Sequence, residues 1–497
     1  MTEIISQLPA LQVVLPLLAA VLIAFVRHEA FSFLVTLIVC LMLPFISGAM
    51  LMEVLANGPI SYALGGWPPP IGIEYRVDLL SAIVLLLVSV IAAISAPFAY
   101  RSVKFEIDVA HRPWFYAMFL LCLTGLLGVA ITGDAFNAFV FLEISSLASY
   151  VLVALGRDRR ALLAAYQYLI MGTIGATFYV IGVGFLYILT GSLNLVDIAV
   201  RLAEIDPAQS RALLTALAFI TVGISLKLAL FPLHFWLPNA YAYAPSFVTV
   251  FLSATATKVA IYLLIRFYFS VFGVALDFDD LPVMDILLGL SLAAMFVASI
   301  IAIFQTNIKR MLAYSSVAQI GYMTLGLALA NTQALTGSIV HMINHGIMKA
   351  ALFLALGAVF YRVNSVRLID ICGIGRSMPI TMAAFTFAGL GIIGVPGTAG
   401  FISKWYLATG ALESGSGLIV ALIVGSSIIS VVYIGRVLEV VWLRAPSAET
   451  EKAKDPPLSM LIPLLVLAAA SIYLGLDTRG TAGIAGLAAE ALMGGLR

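Results

Sequence analysis

GISLKLALFPLHFWLPNAYAYAP (residues 223–245) and GLGIIGVPGTAGFISKW (residues 389–405) decide how this chain is read. Both are apolar stretches interrupted near their middle, the first by Pro232 and Pro238, the second by Gly394, Pro396 and Gly397. Each carries one lysine, Lys227 and Lys404. Proline removes a helix hydrogen bond and clashes with the preceding turn. Broken backbone at membrane depth survives only where protein or a water-filled cavity covers it. Either interruption alone fits an ordinary proline kink. A matched pair points instead to an inverted-repeat transporter and to its site.

Outward from these stretches the sequence has the composition of a membrane protein. Of its 497 residues 62% are hydrophobic and 10% charged, where a soluble domain carries about 25% charged residues. Counting stretches of about 20 mostly apolar residues gives about fourteen spans. Their limits are near 8–26, 30–52, 78–100, 114–132, 135–156, 161–189, 210–243, 245–271, 283–304, 311–330, 334–361, 378–409, 416–443 and 458–476. They are long and do not alternate, so they are helices and not barrel strands. The two interruptions fall in blocks seven and twelve, and an offset of five spans gives the two halves opposite topology. The expected fold is an all-α integral membrane protein with two inverted five-helix repeats, spans 4–8 and 9–13, broken at helices 7 and 12. The division that follows is 1–113, 114–271, 283–443 and 444–497. The start, MTEIISQLPA, lacks a basic n-region, so the first block is expected to remain as a span.

Lysine and arginine placement sets orientation. With fourteen spans, one set of loops holds fifteen Lys and Arg residues and the terminal side holds five, or six with Arg266. The fifteen-residue side is expected to be cytoplasmic, with both termini outside, in a bacterial cytoplasmic membrane. Two outer segments stand out: residues 54–77, rich in Gly and Pro, and residues 191–209, where NLVDIAVRLAEI fits a short interfacial helix. A plain connecting loop fits both as well. The net charge of +1 gives no pull toward nucleic acid, and three scattered cysteines give no disulfide, zinc or iron–sulfur pattern.

The ionisable residues inside spans are Glu143, Lys227, Lys258, His341, His345, Lys349, Lys404, Arg436 and Glu439. A charge at a span centre costs roughly 2.5–3.5 kcal/mol, so four lysines imply a penalty of order 10 kcal/mol before pairing. Burial brings a lysine toward neutrality, and a group poised between two states carries protons. Arginine stays charged and does not. Glu143 and Lys227 form an ion pair if their helices pack together, as a proton switch or as a static structural pair. His341, His345 and Lys349 recur at i, i+4 and i+8 on one helix face, about 6 Å apart along the axis, so water or side-chain motion must bridge them. HxxxH supplies two ligands with no nearby carboxylate, too few for a metal, and two histidines on one face suit haem poorly. A satisfied core histidine is the plainer reading for His341. A local i, i+3 ion pair accounts for Arg436 and Glu439. His234, after the first break, fits a coupling role and an anchoring role equally.

FLEISSLASYVLVAL, SLKLALFPLHFWLPNAYAYAP, SATATKVAIYLLIRF, KRMLAYSSVAQIGYMTLG, HMINHGIMKAALFL and GVPGTAGFISKWY, in this order, resemble the proton-translocating antiporter family. That family is shared by respiratory complex I, membrane-bound hydrogenases and Mrp-type cation/proton antiporters. The resemblance covers roughly residues 70–440. It implies fourteen core helices and a midplane chain of charges: Glu143 as the paired carboxylate, Lys227 as the pumping lysine, Lys258 as the connecting lysine, His345 and Lys349 continuing the axis, and Lys404 at its end. Lysine at 404 and Asn239 after Pro238 depart from complex I patterns, which often show glutamate and aspartate there. The chain stops soon after span fourteen, without the extensions of the largest complex I and Mrp subunits. AYAYAP and the overall length look most like the D-type subunit of an Mrp Na+/H+ antiporter. The expectation is therefore a transport subunit with no catalytic chemistry, cofactor or metal of its own, working with other membrane subunits on H+ and Na+. The alternative is a pumping subunit of a complex I-like oxidoreductase or a hydrogenase. A quinone- or haem-binding redox subunit and a carrier working alone are the competing classes.

Overall fold

The computed structural model describes residues 7–205, 210–273 and 283–494. The chain is helical almost throughout. Helices α1 (Leu8–Val26) and α2 (Glu29–Asn57) lead into a hairpin of β1 (Ile60–Ala63) and β2 (Glu74–Val77), paired antiparallel from Ile60↔Val77 to Ala63↔Glu74. Helices α3 (Leu79–Glu106), α4 (Arg112–Ile131), α5 (Ala135–Ala154) and α6 (Arg160–Thr190) follow, then the short α7 (Leu195–Leu202). Next come α8 (Arg211–Leu228), α9 (Trp236–Tyr243), α10 (Ser246–Val271), α11 (Val283–Ile303), α12 (Ile308–Ala328) and α13 (Thr332–Val363). The last are α14 (Pro379–Ile393), α15 (Ala399–Glu413), α16 (Gly417–Leu443), α17 (Leu458–Leu476) and α18 (Thr481–Met493).

Among the described residues, 12 helices are each long and apolar enough to cross a membrane. The two expected blocks outside that set are instructive. Helix α12 is 21 residues long, yet its sequence IKRMLAYSSVAQIGYMTLGLA is rich in polar groups and turned inward. The other block is the broken pair α14 and α15. Residues 54–57 still belong to α2 and residues 60–77 form a hairpin and not a plain loop, and α7 supplies the short helix expected after residue 191. Residues 206–209 and Arg497 lie outside the described residues. Tyr62 of the hairpin donates to Gln7 at 2.8 Å, and Leu492 lines one cavity with Gly58 and Arg76. Both ends of the described chain therefore lie on the hairpin face, as an even number of crossings requires.

Both breaks have a local cause. Helix α8 stops where Ala229 turns left-handed (φ 61), closing its last turn on Ser225 and Leu226. The indole of Trp236 donates to the Leu226 carbonyl at 3.0 Å, satisfying a group that an unbroken helix would have paired. Pro232 lies in the break. Pro238, expected to contribute to it, sits instead in the first turn of α9, where its missing N–H was never needed. Helix α14 stops at Gly394 (φ 89), a conformation that favours glycine. Helix α15 then starts so close to the end of α14 that a Cβ on Gly400 would lie 1.9 Å from the Gly391 carbonyl oxygen. Only a pair of small residues permits that approach.

Helices α10 and α13 are enclosed on nearly all sides. Helices α1, α2, α16 and α17 show apolar side chains outward, Phe25 and Phe45 among them. The core of this protein is therefore its centre line, and Lys258, His341, His345 and Lys349 sit there on α10 and α13.

Candidate functional site

The first buried charge lies at the first break. Lys227 occupies the last turn of α8, where the unpaired carbonyls favour a cation. Its Nζ donates to Glu143 Oε1 on α5 at 3.2 Å and to Ser146 Oγ, one turn further along α5, at 2.7 Å. The lysine side chain is 7% exposed and the glutamate 24%. The expected pairing of Glu143 with Lys227 is thus present, and Ser146 holds the ammonium at the shorter distance.

Lys258, on α10, is wholly buried and has no carboxylate. Its ammonium donates to the Ser253 carbonyl and, at 3.3 Å, to Thr257 Oγ1. No hydrogen bond among the described residues joins it to the Lys227 pair. Helix α13 then presents His341, His345 and Lys349, all with 0% exposure. The two imidazoles lie nearly parallel, with centroids 5.8 Å apart, as two residues one turn apart on one face should. They differ in their partners. His341 Nδ1 hydrogen-bonds Ser403 Oγ at 2.7 Å, while neither nitrogen of His345 has a partner among the described residues. Lys349 donates to the Leu312 carbonyl at 2.7 Å and to Ser315 Oγ at 3.0 Å, and Tyr433 donates to the same Ser315 at 3.1 Å.

Lys404 closes the row at the second break. From α15 its ammonium reaches back to the carbonyls of Ile392 and Ile393 at 3.1 and 2.9 Å, the last two residues of α14, and to Ser427 Oγ at 3.0 Å. It sits 4.7 Å from the Tyr322 ring centre, a cation–π contact. Each break thus presents a helix C-terminus to a lysine, one from its own helix and one from the helix beyond.

His234 is 3% exposed and lies between Phe231 and Phe235, with ring centres 5.3 and 5.0 Å away and Nδ1 unpartnered. That packing fits an anchor for the break. Arg436 and Glu439 do not pair with each other. Glu439 opens a π-turn that changes the residue spacing, and it is held by Arg444 at 3.0 Å. Arg436 instead donates to the carbonyls of Ile303 and Gln305 at the end of α11. Hydropathy reading missed the neutral partners Ser146, Ser315, Tyr322, Ser403, Ser427 and Tyr433. It also missed Gln319, fully buried with both amide atoms unpartnered. For Ser315, Gln319 and Tyr322 the polar run of α12 was the signal; Ser146, Ser403, Ser427 and Tyr433, on α5, α15 and α16, carried none. A second buried acid and base, Glu106 and Lys309, meet at Ser246: Glu106 accepts from its backbone N–H at 2.9 Å, and Lys309 donates to its hydroxyl at 3.2 Å.

Residues 132–430, which hold every member of this row, match the family described as NADH:quinone oxidoreductase/Mrp antiporter, transmembrane. The chain belongs to that family. It is 42% identical to the N subunit of NADH-quinone oxidoreductase from Desulforudis audaxviator, over 95% of this chain and 96% of that protein. It is 29% identical to the D subunit of the Na(+)/H(+) antiporter from Alkalihalophilus pseudofirmus, over 93% of each. Among solved structures it is similar to a chain of the membrane-bound sulfane sulfur reductase, an archaeal respiratory membrane complex, with TM-score 0.91, 30% identity and 98% of both chains covered. A chain of the Mrp complex from Dietzia aligns with TM-score 0.89 and 27% identity, over 99% of this chain and 98% of that one. Respiratory complex I from Thermus thermophilus aligns with TM-score 0.74 and 25% identity, over 98% and 99%. All of these structures are membrane complexes, and this multi-pass chain is built as a subunit of such an assembly.

Proposed function

We propose that this chain is the proton-conducting subunit of a multisubunit monovalent cation/proton antiporter, and that Glu143, Lys227, Lys258, His345, Lys349 and Lys404 are its relay, with His341 and His234 accessory. The observation that carries this reading is the buried row itself. Of four lysines inside the membrane, one has a counter-carboxylate and three are held by neutral groups alone. Charges without counter-ions are expensive in lipid, and packing alone would replace them. A relay needs groups that accept and release a proton, and an ion pair that opens and closes gives it a switch. Protons enter beside Lys227 from the face with the basic loops, pass through Lys258 and His345, and leave beside Lys404. Bridging waters span the gap between the Lys227 pair and Lys258.

The halves 114–271 and 283–443 act as inverted repeats, each with one broken helix. The face with fifteen basic residues lies in the cytoplasm of a bacterial cell, and both termini lie outside. Na+ is the coupled cation, bound with the help of partner subunits. The similarity to the Mrp complex chain and the lysine at 404 support this choice. A second reading has its own observation, the 42% identity to a subunit named for NADH-quinone oxidoreductase. On that reading the same row pumps protons when a redox partner drives it.

Inverted vesicles carrying the intact complex separate the two. Sodium added to acidified vesicles should release protons without any electron donor. Proton pumping that needs an electron donor and ignores sodium would establish the second reading instead.

A further inference from the structure

The face that carries the basic loops also holds a pocket of ≈ 490 Å³ between the ends of α6, α9, α12 and α16. Arg160, Arg310, Arg367, Arg436 and Arg444 line it, the first from one half of the chain and the rest from the other. Three of them are engaged. Asp158 holds Arg160 at 2.5 Å, Glu439 holds Arg444 at 3.0 Å, and Arg436 caps the carbonyls at the end of α11. The remaining two are not. Arg367 makes no side-chain hydrogen bond or ion pair among the described residues, and Arg310 has its Nε buried without a partner. Asp370, the nearest carboxylate in sequence to Arg367, is taken up by the Ser365 hydroxyl at 2.5 Å. Hydrogen bonds from Arg160, with the more distant charge of Arg367 adding to them, hold the Asp158 carboxyl below its ordinary range. None of these groups belongs to the lysine row.

Arg367 is exposed and Arg310 half-buried, and the Arg310 Nε, buried without a partner among the described residues, carries the cost of an unmade hydrogen bond. The two guanidinium groups are a good anion site, because the planar fork matches the oxygens of a phosphate two at a time. The pocket mouth indicates the source of that phosphate. Ile369 lines the pocket, and Phe304 and Leu443 adjoin its lining residues Gln305 and Arg444 in the chain; the three are 77%, 74% and 76% exposed, apolar surface that suits acyl chains better than water. We propose that this pocket binds the phosphate of an anionic phospholipid headgroup, gripped by Arg310 and Arg367, with its acyl chains lying along Phe304, Ile369 and Leu443. The site is independent of the transport reading.

The test is native mass spectrometry of the purified complex after exposure to phosphatidylglycerol, phosphatidylcholine of matched chains, or inorganic phosphate. The unmodified complex should retain phosphatidylglycerol and not phosphatidylcholine. Arg310→Gln and Arg367→Gln should each lower retention about tenfold or more, as expected when a charged donor leaves an anion site. Arg101→Gln, exposed and outside the pocket, should leave it unchanged. Inorganic phosphate that binds with the same arginine dependence and displaces the lipid supports the phosphate chemistry and shows that a free ion shares the site. Equal retention of both lipids by the unmodified complex would overturn the proposal without any variant. So would retention indifferent to both arginines, or cross-links showing carboxylates of a partner subunit seated on them.

Discussion

The two broken helices answer the same problem in different ways. At the first, Lys227 sits on the helix that ends, and its charge meets a carboxylate, Glu143, through 3.2 Å. At the second, Lys404 comes from the helix beyond the break and meets only dipoles: two terminal carbonyls of α14, the Ser427 hydroxyl and the face of Tyr322. An ion pair in low dielectric holds a proton firmly until its partner moves. A cage of neutral groups is indifferent to where the partner is and lets the proton go when the solvent does. Under the proposed relay, one end of the row is the switch and the other the point of discharge.

That contrast can be broken at several points. The largest effect is expected at the second break. Lys404→Ala should reduce exchange to background while the complex still assembles, because the change leaves no orphan charge. Its structural cost is two unsatisfied carbonyls, about 1–3 kcal/mol each at most, readable as a lower thermal midpoint of the purified complex. Ser427→Asp turns the second site into a copy of the first. A carboxylate about 4 Å from the ammonium is worth about 4 kcal/mol at an effective dielectric constant of 20. Exchange should therefore slow about tenfold or more, and unchanged rates would mean that Lys404 never releases its proton.

His345→Leu separates function from packing. Both ring nitrogens lack partners among the described residues, so an isosteric apolar side chain should leave stability within about 1 kcal/mol or improve it. Exchange should nevertheless fall, and full exchange in this variant would remove His345 from the relay. The smallest effect is expected from Ser146→Ala. It deletes one hydroxyl from Lys227, about 1 kcal/mol, and should shift the pH optimum of exchange with little loss of maximal rate. A flat result there would assign the whole of the first switch to Glu143.

How far the sequence could carry this reading depended on the kind of residue. Lysines and histidines inside apolar blocks announce themselves, because lipid makes them costly. So do the breaks, because Pro232 and Gly394 leave a written mark. Ser146, Ser315, Ser427 and Tyr433 carry no such penalty, and only their placement on neighbouring helices gives them a role. Arg436 and Glu439 were legible but misleading. Their i, i+3 spacing assumes an unbroken α-helix, and the π-turn opening at Glu439 hands that carboxylate to Arg444. Pro238 misled for a similar reason. A proline in the first turn of a helix is indistinguishable by composition from one that breaks it. Helix α12 shows the converse: block 311–330 was legible as a span although its buried serines and Gln319 lower its hydropathy, and Ser315 among them accepts from Lys349.

The most direct measurement is sodium-dependent proton release from inverted vesicles that carry the whole complex with Lys227→Ala as its single change. Loss of exchange with assembly intact is expected if the buried row conducts protons and Lys227 is its switch. Exchange at the unmodified rate would contradict that, and would leave the Glu143–Lys227 pair as a static fastening between α5 and α8.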